Sequence, residues 1–215
     1  MTLLFTQAWD ILPEKEDEYT AFIARKFIPK CDEMGLTSVG GYYVETGIGP
    51  HIISVKRVNS LEELGRIMAG QPFRDLVHEL KEYIVGYRTK VLLATGRTGK
   101  GAYEIQKGVW KYNQYYDLRP GRRKQYSDFI VKEYLPMLDA LDYLEVTGGW
   151  NVLIGGFSEI IGELTFKDPI DIARLLKNEG YRELTHQLRR DYVTNYSSRI
   201  LRTTERFEEP RWFVL

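Results

Sequence analysis

The feature that most constrains the fold is a long segment that occurs twice in the chain. Residues 9–29 read WDILPEKEDEYTAFIARKFIP, and residues 116–136 read YDLRPGRRKQYSDFIVKEYLP. The copies share identical residues at these positions: Asp10/Asp117, Pro13/Pro120, Tyr19/Tyr126, Phe22/Phe129, Ile23/Ile130 and Pro29/Pro136. The wide separation of the copies is typical of a duplicated domain, because solenoid repeats span only about 20–50 residues.

The length of the chain agrees with a duplication. Its 215 residues divide into two halves of about 100 residues each, a common domain size. We predict a first repeat at residues 1–97, a linker at 98–107, a second repeat at 108–206 and an apolar tail at 207–215. We expect the tail to dock on the body of the protein or on a second copy of the chain, because so apolar an end is poorly suited to water.

Each repeat has the same order of predicted elements. In the first repeat, residues 3–12 alternate like a strand, and Pro13 begins a helix that Pro29 is expected to kink or divide. A glycine-rich turn at residues 46–50 joins two further strands. A second helical region and a last strand, from residue 87, complete the repeat. The order β-α-β-β-α-β is that of a ferredoxin-like unit, an antiparallel sheet with helices on one face.

A ferredoxin-like sheet leaves its second face uncovered, and an apolar face needs a partner in water. The other repeat is the obvious partner. We therefore predict an α+β fold in which two tandem ferredoxin-like repeats pack sheet to sheet as a pseudo-twofold α/β barrel.

The composition argues against several classes of partner. Lys plus Arg and Asp plus Glu both number 30, so no basic face for a nucleic acid or an anionic membrane is expected. No stretch approaches the about 20 apolar residues of a membrane span, and the N-terminus lacks a signal-peptide pattern, so we expect a cytoplasmic protein. Cys31 is the only cysteine, and we expect it to be a small buried hydrophobic residue. No cluster of His, Cys and carboxylates has metal-site spacing, so no metal and no cofactor are predicted.

Two short motifs recur in both repeats. Gly40-Gly41-Tyr42 matches Gly148-Gly149-Trp150 in a predicted strand. Phe73-Arg74 matches Tyr181-Arg182 at a predicted helix start, and a leucine stands two residues after each arginine. Together with the element order, these motifs resemble the dimeric α/β-barrel superfamily, which includes antibiotic-biosynthesis-type monooxygenases, NIPSNAP-like proteins and fused-domain chlorite dismutases. The resemblance implies a ligand site inside the barrel or between a sheet and its helices.

Side chains at matching strand positions are the candidate ligand-binding residues. Aromatic side chains would wall a cavity for a small apolar or aromatic molecule, and glutamines among them would orient it. The residues are Gln7, Trp9, Tyr42, Gln114, Tyr116 and Trp150. The alternative is that the glutamines bond neighbouring strands and that the aromatic side chains only pack the sheets.

Equivalent positions also hold the titratable candidates. His51 and Glu159 stand at the start of the third strand of each repeat and are the candidate catalytic acid or base; the alternative is that both are exposed strand-end residues. His78 and His186 match as well, and heme-degrading members of the superfamily carry their proximal histidine on this helix. Here an extra residue after the aromatic-basic pair rotates the side chain by about 100°, which argues for an outward-pointing histidine rather than an iron ligand.

The leading hypothesis is a small-molecule-binding protein with an aromatic-lined barrel cavity. If it is an enzyme, the resemblance implies a cofactor-independent monooxygenase or isomerase-like activity on an aromatic or polyketide-like compound. The alternative is a non-catalytic interaction protein that forms homo-oligomers through its C-terminal tail. A second alternative is a heme-binding protein.

Overall fold

The computed structural model describes residues 3–98, 103 and 108–204. The first repeat consists of β1 (Leu3–Ile11), α1 (Glu16–Phe22), α2 (Ile28–Glu33), β2 (Thr37–Thr46), β3 (Ile52–Val58), α3 (Leu61–Ala69), α4 (Gln71–Leu80) and β4 (Ile84–Ala94). The second repeat consists of β5 (Trp110–Leu118), α5 (Arg123–Phe129), α6 (Leu135–Asp139), β6 (Glu145–Ile154), β7 (Ile160–Phe166), α7 (Pro169–Lys177), α8 (Glu179–Gln187) and β8 (Val193–Thr203). The predicted tail and most of the predicted linker lie outside the described residues.

The first long helix of each repeat is divided, as its second proline predicts. A π-helical turn separates the two α-helical parts, at Ile23–Phe27 in the first repeat and at Ile130–Tyr134 in the second. Proline has no N–H, and its ring clashes with the carbonyl four residues earlier, so a regular α-helix cannot continue unchanged through Pro29. The wider turn resolves the conflict, because the N–H of Ile28 bonds to the carbonyl oxygen of Ile23, five residues earlier.

The eight strands close into one barrel, and neighbouring strands run antiparallel. Their order around the barrel is β1-β3-β2-β8-β5-β7-β6-β4, with β4 paired to β1. The repeats meet at two equivalent seams, β2 with β8 and β4 with β6. The predicted fold is confirmed, and the two sheets are hydrogen-bonded at both edges as well as facing each other. Closure protects the strand edges from pairing with other chains.

The last strand of each repeat begins three residues earlier than the sequence pattern predicts. Ile84 already pairs with Ile11, and a register shift follows between Ala8 and Asp10. Gly86, with φ of 67°, lies opposite this shift and supplies the left-handed backbone conformation that a bulge needs. In the second repeat Asn195, with φ of 52°, supplies the left-handed conformation opposite the register shift between Tyr115 and Asp117.

Alternate residues of each strand face opposite sides of the barrel wall, which creates three separate cores. The helices of the first repeat cover Leu3, Phe5 and Trp9 of β1. The helices of the second repeat cover Tyr112 and Tyr116 of β5. The third core lies inside the barrel and contains Leu4, Tyr42, Val44, Val55, Leu92, Tyr115, Trp150, Ile161 and Leu201.

Candidate functional site

The six predicted ligand-binding residues do not line one common cavity. Trp9 lies in the core between sheet and helices of the first repeat, and Tyr116 lies in that of the second. Gln7 and Gln114 point toward the helices as well, because each bonds to a tyrosine of the same core. Tyr42 and Trp150 belong to the core inside the barrel. Strand alternation is the reason, because residues 7 and 9 of β1 point away from the face that carries Leu4. The structure therefore brings only two of the six side chains to the barrel interior.

In the first repeat, the predicted residues are part of a well-packed core. The Trp9 ring packs edge-on against Phe27 and stacks on Tyr87, at centroid distances of 6.0 and 6.2 Å. Trp9 Nε1 donates to the Tyr19 hydroxyl at 2.9 Å, and Gln7 Nε2 donates to the Tyr87 hydroxyl at 2.8 Å. The buried Gln7 Oε1 has no partner among the described residues. These contacts support a structural role for Gln7 and Trp9 in this repeat.

The equivalent core of the second repeat is built around Gln114, whose side chain is 2% exposed. Hydroxyl groups lie 2.8 to 2.9 Å from its Nε2 atom, and they belong to Tyr134, Tyr181 and Tyr196. Burial raises the pKa of the Tyr134 hydroxyl to about 12. A cavity of about 40 Å³ remains beside Gln114 and Tyr116, which is room for water but not for an aromatic ligand.

The two predicted catalytic residues, His51 and Glu159, lie just before β3 and β7, at the same end of the barrel. Asp10 Oδ1 lies 2.6 Å from His51 Nδ1 and accepts from the His51 backbone N–H at 2.8 Å. Asp117 Oδ1 likewise accepts from the Glu159 backbone N–H at 2.8 Å. Because His51 is 72% exposed and each pair joins two strand ends, the contacts support the strand-end interpretation. The acid-base role of both residues stays a prediction.

The barrel interior contains a cavity of about 630 Å³, a volume within the range of small-molecule sites. It extends from Tyr103, in the predicted linker, to the turns of the two hairpins, where Ile48 and Phe157 are 88% and 96% exposed. Its walls are mostly apolar or aromatic, and they include Leu4, Tyr42, Ile53, Val55, Leu92, Tyr115, Trp150, Ile161 and Leu201.

One end of the cavity carries a buried network around Glu163. Lys111 Nζ lies 2.6 Å from Glu163 Oε1, and the two side chains are 2% and 5% exposed. The carboxylate also accepts from the hydroxyls of Tyr103 at 2.9 Å and Thr147 at 2.8 Å. The Tyr42 hydroxyl lies 2.6 Å from that of Tyr103. Burial and the neighbouring Glu163 hold the pKa of the Tyr103 hydroxyl well above its usual range. The network compensates a pair of charges that burial alone would disfavour.

A second polar layer lies nearer the hairpin turns and is positively charged. Lys90 of β4 and Arg199 of β8 are equivalent residues of the two repeats, since they pair with Thr6 and Asn113 at matching positions. Lys90 Nζ lies 5.4 Å and Arg199 Cζ 5.0 Å from the centroid of the same ring, that of Tyr115. Burial and the nearby Arg199 lower the pKa of Lys90.

The comparison of the two repeats contains a signal for the buried ion pair. Lys111 and Glu163 stand where the first repeat has Leu4 and Val55. A joint change of two apolar residues to opposite charges indicates that the two positions are close in space. Tyr103 gives no such signal, because it lies in the segment predicted as a linker.

The histidines on the second helices lie at the surface. His78 and His186 are both exposed, as the helical spacing predicts. His186 lines an open groove of about 620 Å³ on the outer face of the second repeat, together with Tyr181 and Arg189. Within residues 3–98, 103 and 108–204, no group of three or more His, Cys, Asp or Glu side chains is placed to hold a metal ion. No helix in these ranges has the length and apolar composition that a membrane crossing requires.

The fold agrees with that of known proteins, although no protein-family model and no curated protein matches the sequence. A proposed monooxygenase from Fusobacterium nucleatum is 13% identical, with a TM-score of 0.65 over 94% of this chain and 92% of its own. An anthrone oxidase-like protein is 12% identical, with a TM-score of 0.64 over 94% and 91% of the chains. A proposed chlorite dismutase is 13% identical, with a TM-score of 0.62 over 97% of each chain. At such low identity the similarity shows the dimeric α/β-barrel fold and not an activity.

Proposed function

We propose that this protein binds a small, largely apolar or aromatic molecule inside its barrel. The cavity of about 630 Å³, which reaches solvent between Ile48 and Phe157, carries this conclusion. Protein interiors are close-packed and contain few voids larger than a water molecule. A barrel whose only task was to hold two sheets together would therefore be filled by its own side chains.

The apolar wall supplies the driving force for binding. Tyr42 and Trp150, the two predicted ligand-binding residues that face the cavity, would contact an aromatic ring system. Burial of about 200 Å² of apolar ligand surface contributes about 5 kcal/mol at about 25 cal/mol per Å², before the entropic cost of association. That magnitude alone corresponds to a dissociation constant of a few tenths of a millimolar at best, so tighter binding requires polar contacts as well.

A cofactor-independent monooxygenase-like or isomerase-like reaction on the bound molecule stays a prediction. Two sets of groups are the candidates for moving a proton in such a reaction. The hydroxyls of Tyr42 and Tyr103 and the Glu163 carboxylate form a hydrogen-bonded chain at one end of the cavity. His51 is bonded to Asp10, which lines the cavity at the other end. A reaction at either set of groups first requires that the molecule binds in the barrel.

Two alternatives have distinct signatures. In a non-catalytic interaction protein the barrel would bind no small molecule, and subunit association would depend on residues 207–215, which lie outside the described residues. In a heme protein, reconstitution would produce a Soret band that is lost on His78→Ala or His186→Ala.

A cavity-filling variant tests the proposal. Ala8 lines the cavity, so Ala8→Phe places a ring in the space that a ligand would occupy. N-phenyl-1-naphthylamine, an apolar dye that fluoresces in apolar surroundings, should bind the natural protein, and its affinity should fall by about tenfold or more in Ala8→Phe. Ala21→Phe, on an exposed position of α1, is the matched control and should bind the dye unchanged. Equal affinity in all three proteins would contradict binding inside the barrel.

Native mass spectrometry identifies a ligand retained from the cell. The mass of the folded protein should exceed that of the denatured chain by the mass of one small molecule. The same spectrum counts the subunits and so tests association through the tail.

A further inference from the structure

The barrel cavity faces more positive charge than its own carboxylates neutralise. Arg88, Lys90 and Arg199 all line it, as do the carboxylates Asp10 and Glu163. The two carboxylates are already engaged, Asp10 with His51 and Glu163 with Lys111. Within the described part of the chain, no ion pair is found for Arg88, Lys90 or Arg199.

Two of the basic side chains, those of Lys90 and Arg199, are half-buried and held by contacts, whereas Arg88 is exposed. Lys90 and Arg199 lie over the same Tyr115 ring. The hairpin turn of the opposite repeat covers each of them. A Cβ atom at Gly156 would lie 2.5 Å from Lys90 Cε, and one at Gly49 would lie 2.6 Å from Arg199 Nη2. Two like charges confined in this way repel each other, and the pKa of Lys90 is lowered by burial and by Arg199. An anion between them would relieve both effects.

Asn113 adds an unpaired polar group to the same region. Its side chain is 7% exposed and lines the cavity, and its Oδ1 atom has no partner among the described residues. Asn113 is also the cross-strand neighbour of Arg199. Its Nδ2 atom donates to the Tyr115 hydroxyl at 3.5 Å, so only Oδ1 lacks a partner. After a flip of the amide group the Tyr115 hydroxyl can donate to Oδ1, and Nδ2 takes the unpartnered position at almost no steric cost. A buried amide atom without a partner is costly, so a polar ligand atom is expected beside it.

We propose that the molecule bound in the barrel is an organic anion, whose carboxylate or sulfonate is bound by Arg88, Lys90 and Arg199 while its apolar body lies against Leu4, Leu92 and Leu201. This inference rests on the proposed binding function and specifies the chemical class of the ligand. Charge-assisted hydrogen bonds to the head group supply orientation, and the apolar wall accepts the rest of the molecule. The overall composition is neutral and gives no sign of this site, because the positive charge is local, where β4 and β8 face the cavity.

Two dyes with the same aromatic framework test the charge requirement. 8-Anilinonaphthalene-1-sulfonate carries a sulfonate, and N-phenyl-1-naphthylamine lacks it. In the double variant Lys90→Gln/Arg199→Gln, the affinity for the sulfonate should fall by about tenfold or more, and the affinity for the neutral dye should change by less than about threefold. Laurate should displace the sulfonate dye from the natural protein at a lower concentration than dodecanol does, because only laurate carries a carboxylate.

Two control variants keep the result interpretable. Arg66→Gln/Lys124→Gln removes the same charge from exposed positions outside the cavity and should leave both affinities unchanged. Lys90→Arg/Arg199→Lys retains the charge, and it should keep sulfonate binding even if Lys90→Gln/Arg199→Gln folds poorly. Ala8→Phe should weaken both dyes if they occupy the barrel.

The outcomes separate the two proposals. Sulfonate affinity that is equal in the natural protein and in a folded Lys90→Gln/Arg199→Gln variant overturns the anion site. The anion site is also overturned if the Arg66→Gln/Lys124→Gln control loses as much sulfonate affinity as Lys90→Gln/Arg199→Gln, or if the charge-retaining variant Lys90→Arg/Arg199→Lys loses sulfonate affinity. In those cases the barrel site is still supported if the neutral dye binds the natural protein and Ala8→Phe abolishes that binding. Failure of both dyes to respond to Ala8→Phe overturns the binding function itself.

Discussion

Removal of one member of the buried Lys111–Glu163 pair should destabilise the protein strongly, and removal of both should cost less. The Nζ–Oε1 distance is 2.6 Å, and the side chains are 2% and 5% exposed. Lys111→Leu leaves a buried carboxylate with only hydroxyl donors, from Tyr103 and Thr147. Breaking such a pair costs about 3–5 kcal/mol. With a urea dependence of about 2 kcal/mol per M, a loss of about 4 kcal/mol lowers the unfolding midpoint by about 2 M.

The double variant Lys111→Leu/Glu163→Val restores the pair of apolar residues, Leu4 and Val55, that the first repeat has at these positions. The remaining cost is that of the two hydroxyls that lose their acceptor, about 1–3 kcal/mol. The double variant should therefore be more stable than Lys111→Leu. Glu163→Val also leaves an unpaired buried charge and should cost about 3–5 kcal/mol. The two single effects should therefore exceed the effect of the double variant by about 3 kcal/mol or more.

Urea unfolding followed by circular dichroism measures the four proteins of the cycle. The exposed pair Lys30–Glu33 is the control, because its N–O distance is also 2.6 Å but its side chains are 55% and 61% exposed. Lys30→Leu should cost less than about 1 kcal/mol. If Lys111→Leu costs no more than Lys30→Leu, or if the two single effects simply add, the charges are not held together in a buried site.

Two further predictions concern the cores between sheet and helices. Gln114→Leu should lower the free energy of unfolding by about 2–3 kcal/mol, because three tyrosine hydroxyls lose a buried partner. It should leave N-phenyl-1-naphthylamine binding unchanged. Loss of dye binding would support the ligand-orienting role of Gln114. Burial raises the pKa of the Cys31 thiol to about 11 and that of Tyr134 to about 12. In the unfolded chain the thiol loses its proton at about pH 9 and the tyrosine at about pH 10, before either does so in the folded protein. The free energy of unfolding should therefore fall with rising pH, from about pH 9 for Cys31 and from about pH 10 for Tyr134, by up to about 1.4 kcal/mol per unit for each group. Urea titrations at about pH 8 and about pH 11 measure this slope, and a flat profile would mean that these groups ionise freely in the folded state.

The candidate site is only partly predictable from the sequence. The repeat comparison indicates the strands on which a site could lie, and Tyr42 and Trp150 do face the barrel. Gln7 and Gln114 are predicted to contact the ligand because an amide among aromatic side chains needs a polar partner. The structure supplies that partner from the chain itself, in the hydroxyls of Tyr87 and Tyr134 among others. The sequence pattern indicates that both glutamines are buried. It does not show whether they face the helices or the barrel cavity.

Periodicity, prolines and the internal repeat were sufficient to determine the architecture. These signals are local: alternation marks a strand, Pro29 and Pro136 divide a helix, and a matching segment in the second half of the chain implies a second domain of the same fold. The tertiary structure decided everything that depends on barrel closure. Only closure brings Lys90 and Arg199 to one tyrosine ring and encloses a cavity. The pairing of β5 with β7 places Lys111 beside Glu163, and closure buries the pair. The physical reason is that both faces of these strands are buried, so hydrophobicity alone does not distinguish the face toward the helices from the face toward the cavity.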